Sequence, residues 1–282
     1  MVSTATIITV SITLFICLFL PMILYVLYGI NNKGQGVWTA WLLGAAGFFV
    51  FQIIIRTPII SILSVLPGFM DFVAEYYVLY CLILASTAAV FEVAGRYIVA
   101  KLLVKSRGGL TFKKSFAAGL GHGSIEAMLI VGMTYVNNLL YIVMINTGAF
   151  DSLVEQTAAM GVDTAQLVAV KDSLINTAPA TFLLGGYERV LTVILHIALS
   201  MLVCYFVTRK QDWLGIAVCV LIHWAVDFIA PMINGLATEY LGNAISTTTA
   251  YIIVYVFLTA VAVGSIFAVR YFKNSWAEKS EA

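Results

Sequence analysis

Residues 7–28 of the sequence, IITVSITLFICLFLPMILYVLY, decide the fold class of this protein. At about 1.5 Å of rise per residue, a helix of this length spans the ~30 Å hydrocarbon core of a bilayer. The stretch contains no charged side chain, and no basic segment precedes it. Because it is also longer than the apolar region of a signal peptide, we expect Ile7–Tyr28 to remain as a membrane span.

The composition of the whole chain is that of a membrane protein. Of its 282 residues, 62% are hydrophobic and 10% are charged, whereas an ordinary soluble domain has roughly 25% charged residues. The formal net charge of +1 leaves no basic surplus for binding nucleic acid. The composition therefore predicts an all-α, polytopic membrane helical bundle in contact with the lipid bilayer, and it argues against a nucleic-acid partner.

Six further apolar stretches follow the first. Because no linker or internal repeat interrupts them, we expect residues 1–282 to form a single integral membrane domain, with a motif-bearing core at about 72–230. The seven predicted spans are Ile7–Tyr28, Val37–Ile55, Phe72–Ala100, Phe116–Thr147, Pro179–Val207, Leu214–Ile229 and Ile245–Tyr271.

The distribution of Lys and Arg predicts the orientation of the spans. Cations crowd the connection between the third and fourth spans, and they recur between the first and second, between the fifth and sixth, and in the tail. Because cytoplasmic loops carry the excess of such cations, we expect an external N-terminus and a cytoplasmic C-terminus. The acidic segment between the fourth and fifth spans is then external. In it, Ser152–Leu174 is either a short amphipathic helix on the outer surface or an ordinary capping loop.

Ionisable side chains are concentrated in the third to sixth spans. A charge at the centre of a bilayer costs at least ~2.5–3.5 kcal/mol on insertion scales, so each such residue requires a reason. All three histidines of the chain lie inside spans, whereas we expect essentially no interior charge in the first, second and seventh spans. The residues concerned are Glu92, Arg96, His122, Glu126, Glu188, Arg189, His196, His223 and Asp227.

The spacing of these residues places pairs of them on common helix faces. A Glu followed four residues later by Arg favours an ion pair. An imidazole with a carboxylate one turn away has its tautomer fixed or its basicity raised, or the two side chains bind one metal ion together. The three pairs are Glu92 with Arg96, His122 with Glu126, and His223 with Asp227.

Counting from the charged ends of the spans puts four of these side chains at a similar depth, roughly 12 to 20 Å below the cytoplasmic face. They are Glu92, His122, His196 and His223, from four different spans. If the four helices pack together, they enclose a polar cavity. Each residue also has a structural explanation, because a single membrane His often bonds to a neighbouring helix and the GxxxG face of Gly119 and Gly123 indicates close packing. The coincidence of depth favours a functional site.

The order of the motifs resembles a known superfamily. A Glu-xxx-Arg, then a motif with His, a single His on a later span and a final His-xxx-Asp look like the type II CAAX proteases, bacteriocin-processing proteins and PrsW-type peptidases. Within this superfamily, Gly-His-Gly-xx-Glu at 121–126 and the Glu-Arg run that ends at His196 most resemble the YhfC branch of intramembrane metalloproteases. The chain departs from the CAAX pattern in having one Glu, after Phe91, and in Asp227 where those proteases tend to have Asn.

This resemblance implies an intramembrane protease in the plasma membrane of a prokaryote, acting on a hydrophobic membrane peptide or protein. It implies that Glu92, supported by Arg96, and His122 activate the attacking water. His223 and Asp227, with His196 nearby, would then bind or support the oxyanion. From the residues alone, Glu126 joins the site as the carboxylate one turn from His122.

A zinc-dependent mechanism of hydrolysis is an equal alternative. Three imidazoles, those of His122, His196 and His223, are sufficient ligands for a catalytic Zn²⁺ and leave a carboxylate as the base. The sequence contains no HExxH motif, so the inference of a metal depends on the residue types alone.

Two other functions use the same residue types. A proton-coupled transporter would employ His and carboxylates as a relay, together with broken helices and internal symmetry, and neither feature is evident in the sequence. A non-catalytic membrane scaffold or chaperone is the other alternative, and the complete motif set argues against it.

Overall fold

The computed structural model describes residues 1–281, with the side chains of residues 1–276, and these residues form helices and no strand. Seven helices of the described chain are long and apolar enough to cross a membrane. The prediction of an all-α, multi-pass membrane protein is therefore confirmed. The spanning helices are α1 (Thr4–Asn31), α2 (Val37–Ser64), α4 (Tyr77–Lys105), α5 (Phe112–Thr147), α8 (Pro179–Thr208), α9 (Asp212–Gly235) and α10 (Thr247–Glu281, with the span Thr247–Trp276).

Three shorter helices connect some of these spans. They are α3 (Phe69–Glu75), α6 (Ala149–Ala159) and α7 (Ala165–Asn176). The third span begins at Tyr77 rather than at Phe72, because Tyr76 leaves helical geometry with φ −121° and ψ 44°. The single amphipathic helix considered for Ser152–Leu174 is wrong, since α6 ends before Gly161, whose φ of +74° breaks the helical path.

The second span is longer than predicted. After the π-helical turn Phe49–Arg56, α2 continues to Ser64, with a proline in the first turn of its last α-helical part, where proline is tolerated. Arg56 therefore lies inside this span, and the expectation of no interior charge there is wrong. Its guanidinium donates to the Leu84 carbonyl (2.9 Å) and to Thr87 Oγ1 (3.1 Å) on α4, which satisfies two of its hydrogen-bond donors.

The described residues pack as two compact units. Unit 1 comprises Met1–Leu24 and Ala127–Val190, and unit 2 comprises Tyr25–Glu126 and Leu191–Ala282. Inside unit 1, the Thr13 and Tyr135 hydroxyls both donate to the Phe182 carbonyl at 2.7 Å, and a core that includes Phe150 surrounds them. Unit 2 contains every residue of the polar cavity expected from the sequence.

Helices of unit 2 approach one another through glycines. A Cβ added at Gly44 of α2 would lie 1.9 Å from the Ala118 carbonyl oxygen, and one added at Gly121 of α5 would lie 2.0 Å from the Trp41 carbonyl oxygen. Only a residue without a side chain allows backbones to come this close. This contact sets α5 against α2 and fixes the position of the residue that follows Gly121.

The opposite face of α5 contacts α8 in the same way. A Cβ added at Gly119 would lie 2.6 Å from Ile197 Cα, and one added at Gly123 would lie 3.1 Å from His196 Cβ. The close packing predicted for the GxxxG face is therefore confirmed. Because α5 is held between α2 and α8, the imidazole of His122 enters the interior of unit 2.

The close approach at Gly121 can be tested with a single methyl group. In an unconstrained helix Gly→Ala stabilises by about 1 kcal/mol, but Gly121→Ala meets backbone, and overpacking of this kind costs roughly 1–3 kcal/mol. We expect Gly121→Ala to lower the thermal unfolding temperature of the detergent-purified protein. The matched control is Gly264→Ala on α10, where no described atom lies within 4 Å of the added methyl. Equal or higher stability of Gly121→Ala would contradict the packing.

Candidate metal centre

One carboxylate oxygen in unit 2 is the meeting point of three helices. Glu92 on α4 is only 4% exposed. Its Oε2 lies 3.3 Å from Arg96 Nη1 one turn away, 3.0 Å from His122 Nε2 on α5, and 3.5 Å from His223 Nε2 on α9. A buried carboxylate needs such partners, because an unpaired charge in an apolar interior is strongly unfavourable.

A second carboxylate brings in the fourth helix. Glu126 Oε2 lies 2.6 Å from Nε2 of His196 on α8. Glu126 is the more open of the two carboxylates, since its side chain is 14% exposed against 5% for Glu92. On α9, Asp227 Oδ2 lies 3.2 Å from His223 Nε2, with the Asp227 side chain 32% exposed. The Nε2 atom of each of the three histidines therefore faces a carboxylate.

Arg96 determines which nitrogen of two histidines carries the proton. Its Nη2 contacts Nδ1 of His196, and its Nη1 lies 3.4 Å from Nδ1 of His223. A guanidinium can only donate hydrogen bonds, so both Nδ1 atoms act as acceptors. In this arrangement the ring protons of His196 and His223 sit on Nε2, the nitrogen nearer the carboxylates.

Seven of the nine ionisable residues selected from the sequence thus lie in one cluster, formed by Glu92, Arg96, His122, Glu126, His196, His223 and Asp227. The ring centroids of His122 and His196 are 5.2 Å apart, and those of His196 and His223 are 5.7 Å apart. All three imidazoles are buried. The other intramembrane pair, Glu188 and Arg189, belongs to unit 1, where the Arg189 guanidinium contacts the Glu188 carboxylate.

Four of these side chains have the chemistry and the spacing of a metal-binding group. Glu92, His122, Glu126 and His196 each offer one donor atom, and the four donors lie within 4.8 Å of one another. Imidazole nitrogens and carboxylate oxygens are ligands that suit Zn²⁺. His223 is not in this group of four, although its Nε2 lies 3.5 Å from Glu92 Oε2.

The charge balance of the cluster also favours a cation. With neutral imidazoles, the carboxylates of Glu92, Glu126 and Asp227 accompany the guanidinium of Arg96 in this cluster, and the Arg56 guanidinium outside it also interacts electrostatically with Glu92 and Asp227. Counting both guanidinium groups leaves a formal excess of one negative charge. Two of the carboxylates are largely buried, where unbalanced charge is costly. A bound cation would offset this excess, so the residues present fit such an ion.

The sequence predicts three imidazoles as candidate zinc ligands and, separately, His122 with Glu126 as a pair able to bind one metal ion. The compact group contains two of those imidazoles together with two carboxylates. The sequence prediction misses Arg56, because the predicted second span ends one residue earlier.

Comparison with known proteins bears on the identity of this cluster. A profile of the YhfC intramembrane metalloprotease family matches residues 16–245, which include all seven residues of the cluster. A protein of Bacillus subtilis (strain 168) named "Uncharacterized membrane protein YhfC" is 28% identical over 227 residues, covering 79% of this chain and 83% of the relative. No solved structure matches the chain significantly. Because the family profile matches most of the chain, this protein belongs to the YhfC intramembrane metalloprotease family.

Proposed function

We propose that this protein hydrolyses peptide bonds inside the membrane, at a zinc ion held in unit 2. The observation that carries the proposal is the group of four donors within 4.8 Å, on α4, α5 and α8. The family description supports the reaction class. A buried polar cluster in an otherwise apolar helix bundle is also the kind of site where a hydrolase can keep water inside a membrane.

Three of the four donors hold the ion, and the fourth acts as the base. Catalytic zinc sites use three protein ligands and keep one position open. We assign His122, His196 and Glu92 as ligands, because Glu92 is the most buried carboxylate and is fixed by Arg96. Glu126 is the general base, since its side chain is more exposed and therefore more accessible to water and substrate.

The bound ion would supply a Lewis acid that polarises the scissile carbonyl and lowers the pKa of water. Glu126 removes a proton from the attacking water at its carboxylate and then gives that proton to the leaving amine, while the C–N bond breaks. His223 Nε2 lies 3.2 Å from Asp227 Oδ2, and its N–H would donate to the oxyanion in place of that contact. Arg96 contacts Glu92, His196 and His223 and so orients these side chains.

The substrate class is a hydrophobic membrane peptide or protein. Trp224 and Phe228, which directly follow His223 and Asp227 in the chain, provide apolar surface and stack with ring centroids 5.2 Å apart. A water-soluble peptide would have to leave its aqueous environment to reach Glu92 and His122, which are both buried.

The zinc content of variants distinguishes the proposed ligands, His122, His196 and Glu92, from the alternative set of three imidazoles. We expect about one zinc per chain in the wild type, because three ligands on fixed helices form a complete site. His122→Gln and His196→Gln should lose most of it. His223→Gln, which lies outside the compact group, should retain more than half.

The measurement is inductively coupled plasma mass spectrometry on monodisperse, detergent-purified protein. His223→Gln serves as the matched control because it removes an equally buried imidazole. Loss of zinc from His223→Gln to the same extent would show that the ligands are the three histidines instead.

Glu126→Gln tests the assignment of the base. A general base contributes roughly 10²- to 10⁴-fold to the rate, so we expect Glu126→Gln to lose cleavage by this factor while keeping its zinc. The matched control is Glu75→Gln, an exposed carboxylate on α3.

Proteoliposomes that contain the enzyme and solubilised membrane proteins are incubated in H₂¹⁸O, and new ¹⁸O-labelled carboxyl termini are identified by mass spectrometry. Labelled termini should lie in apolar segments and should require Glu126 but not Glu75. Wild-type protein that carries zinc yet produces no labelled termini would count against a peptidase and in favour of the transporter or scaffold alternatives.

A further inference from the structure

Unit 2 contains a second polar feature, an open cavity of about 820 Å³ formed by three segments. The segments are the α1–α2 loop at 34–36, the α4–α5 loop with the start of α5 at 107–114, and the end of α10 at 273–276. They follow the first, third and seventh spans, so they lie on the same side of the bundle. Because each is at the end of a span, the cavity is at a membrane surface.

The charged residues of this cavity all have the same sign. Arg107, Lys113, Lys114 and Lys273 line it, and none of its lining residues in the described part of the chain is a carboxylate. Arg107 and Lys273 are exposed and Lys113 is half-buried. Four cations around one concave surface repel one another, so an anion in the cavity would relieve that repulsion.

Lys114 is the fixed part of the cavity. It is 3% exposed, and its ammonium donates to the carbonyls of Arg107 (2.7 Å) and Gly109 (2.8 Å) and to Ser106 Oγ (2.9 Å). These three partners are neutral, so they satisfy the hydrogen bonds of Lys114 but do not balance its charge. A buried charge without a counter-charge is unfavourable, and the nearest open space is the cavity itself.

The aliphatic part of the Lys114 side chain also packs against the α1–α2 loop. A Cβ added at Gly36 would lie 2.8 Å from Lys114 Cε, and Gly36 has a φ of +70° that disfavours other residues. The α1–α2 loop therefore packs against the same side chain that organises the α4–α5 loop. This preorganisation keeps the cations close together before a ligand arrives, which reduces the cost of binding.

The walls of the cavity suggest what kind of anion it takes. Leu110, Phe112 and Trp276 contribute apolar surface beside the cations, and the rings of Phe112 and Trp276 are 6.2 Å apart. Aromatic residues and cations together at the end of a membrane span are typical of contacts with lipid head groups. The volume is larger than an inorganic phosphate ion needs and leaves room for a glycerol backbone.

We propose that this basic cavity, lined by Arg107, Lys113, Lys114 and Lys273, binds a phosphate group, carried by the head group of an anionic phospholipid or by a free phosphate compound. The site lies outside the metal cluster and is independent of the reaction proposed above. It makes the packing of α1, α2, α4, α5 and α10 in unit 2 depend on the anion at the membrane surface.

The test compares two triple variants with the same change of charge. The cavity variant is Arg107→Gln, Lys113→Gln, Lys273→Gln, and it leaves the buried Lys114 in place. The matched control is the triple variant Lys33→Gln, Lys105→Gln, Arg270→Gln. These three cations are exposed and lie close in sequence to the segments of the cavity, but they do not line it. Phosphatidylglycerol and phosphatidylcholine are titrated into detergent-purified full-length protein and counted by native mass spectrometry; inorganic phosphate is titrated separately and followed by thermal unfolding.

We expect phosphatidylglycerol to bind the cavity variant about 10- to 100-fold more weakly than the wild type, since each cation at a membrane surface contributes about fivefold. The control variant should change by less than about twofold per cation removed. Selective loss of inorganic phosphate binding instead, with phosphatidylglycerol binding unchanged, would support the same site with a free phosphate compound as ligand.

Equal weakening of both variants would overturn the proposal, because the effect would then come from general surface charge. Unchanged binding of both phosphatidylglycerol and inorganic phosphate by the cavity variant would overturn it as well. If the triple variant does not fold, the single changes Lys273→Gln and Arg270→Gln, on exposed positions of α10, make the same comparison.

Discussion

The burial of the Glu92 carboxylate is the constraint on which the rest of unit 2 depends. A carboxylate in the middle of a membrane span is tolerated only when donors surround it, and Arg96, His122 and His223 supply these donors from three helices. The donors reach one oxygen only if the helices come unusually close. Glycines at 44, 119, 121 and 123 bring α5, which carries His122, against α2 and α8, and Gly95 brings α4, which carries Glu92, against Gly47 of α2. The small residues of the bundle and its polar cluster are therefore parts of one arrangement.

Much of the fold could be predicted from the sequence because a membrane imposes a simple rule. Every backbone polar group in the hydrocarbon core must be bonded internally, so long apolar stretches have to be helices. The pairing of Glu92 with Arg96, and of His223 with Asp227, follows from their spacing by one helical turn, and both pairs form. Even the depth of the ionisable residues could be counted, because rise per residue is constant.

What the sequence could not supply is the identity of neighbouring helices and the direction of each ring. Spacing shows that His122 and Glu126 share a face, but not that Glu126 meets His196 of α8 rather than its own His122. The extension of α2 through Arg56 depends on contacts with α4, which no local pattern records. The break between α6 and α7 contains Gly161 in the left-handed region, with φ +74°.

Arg96 gives the cluster an unusual proton arrangement. In many metal sites a carboxylate or carbonyl accepts from Nδ1 of the ligating histidine, whereas here a guanidinium faces Nδ1 of His196 and of His223. Metal binding at His196 Nε2 would therefore require that nitrogen to release its ring proton to solvent, which makes loading of the ion depend on pH.

Zinc K-edge X-ray absorption of the purified, unmodified protein tests the central claim most directly, since it reports the donor atoms around the metal. The account predicts a shell of nitrogen and oxygen at about 2.0–2.2 Å, with the outer-shell signal of two imidazoles. A third imidazole, a sulfur shell, or protein that binds no zinc at all would contradict a centre built from Glu92, His122 and His196.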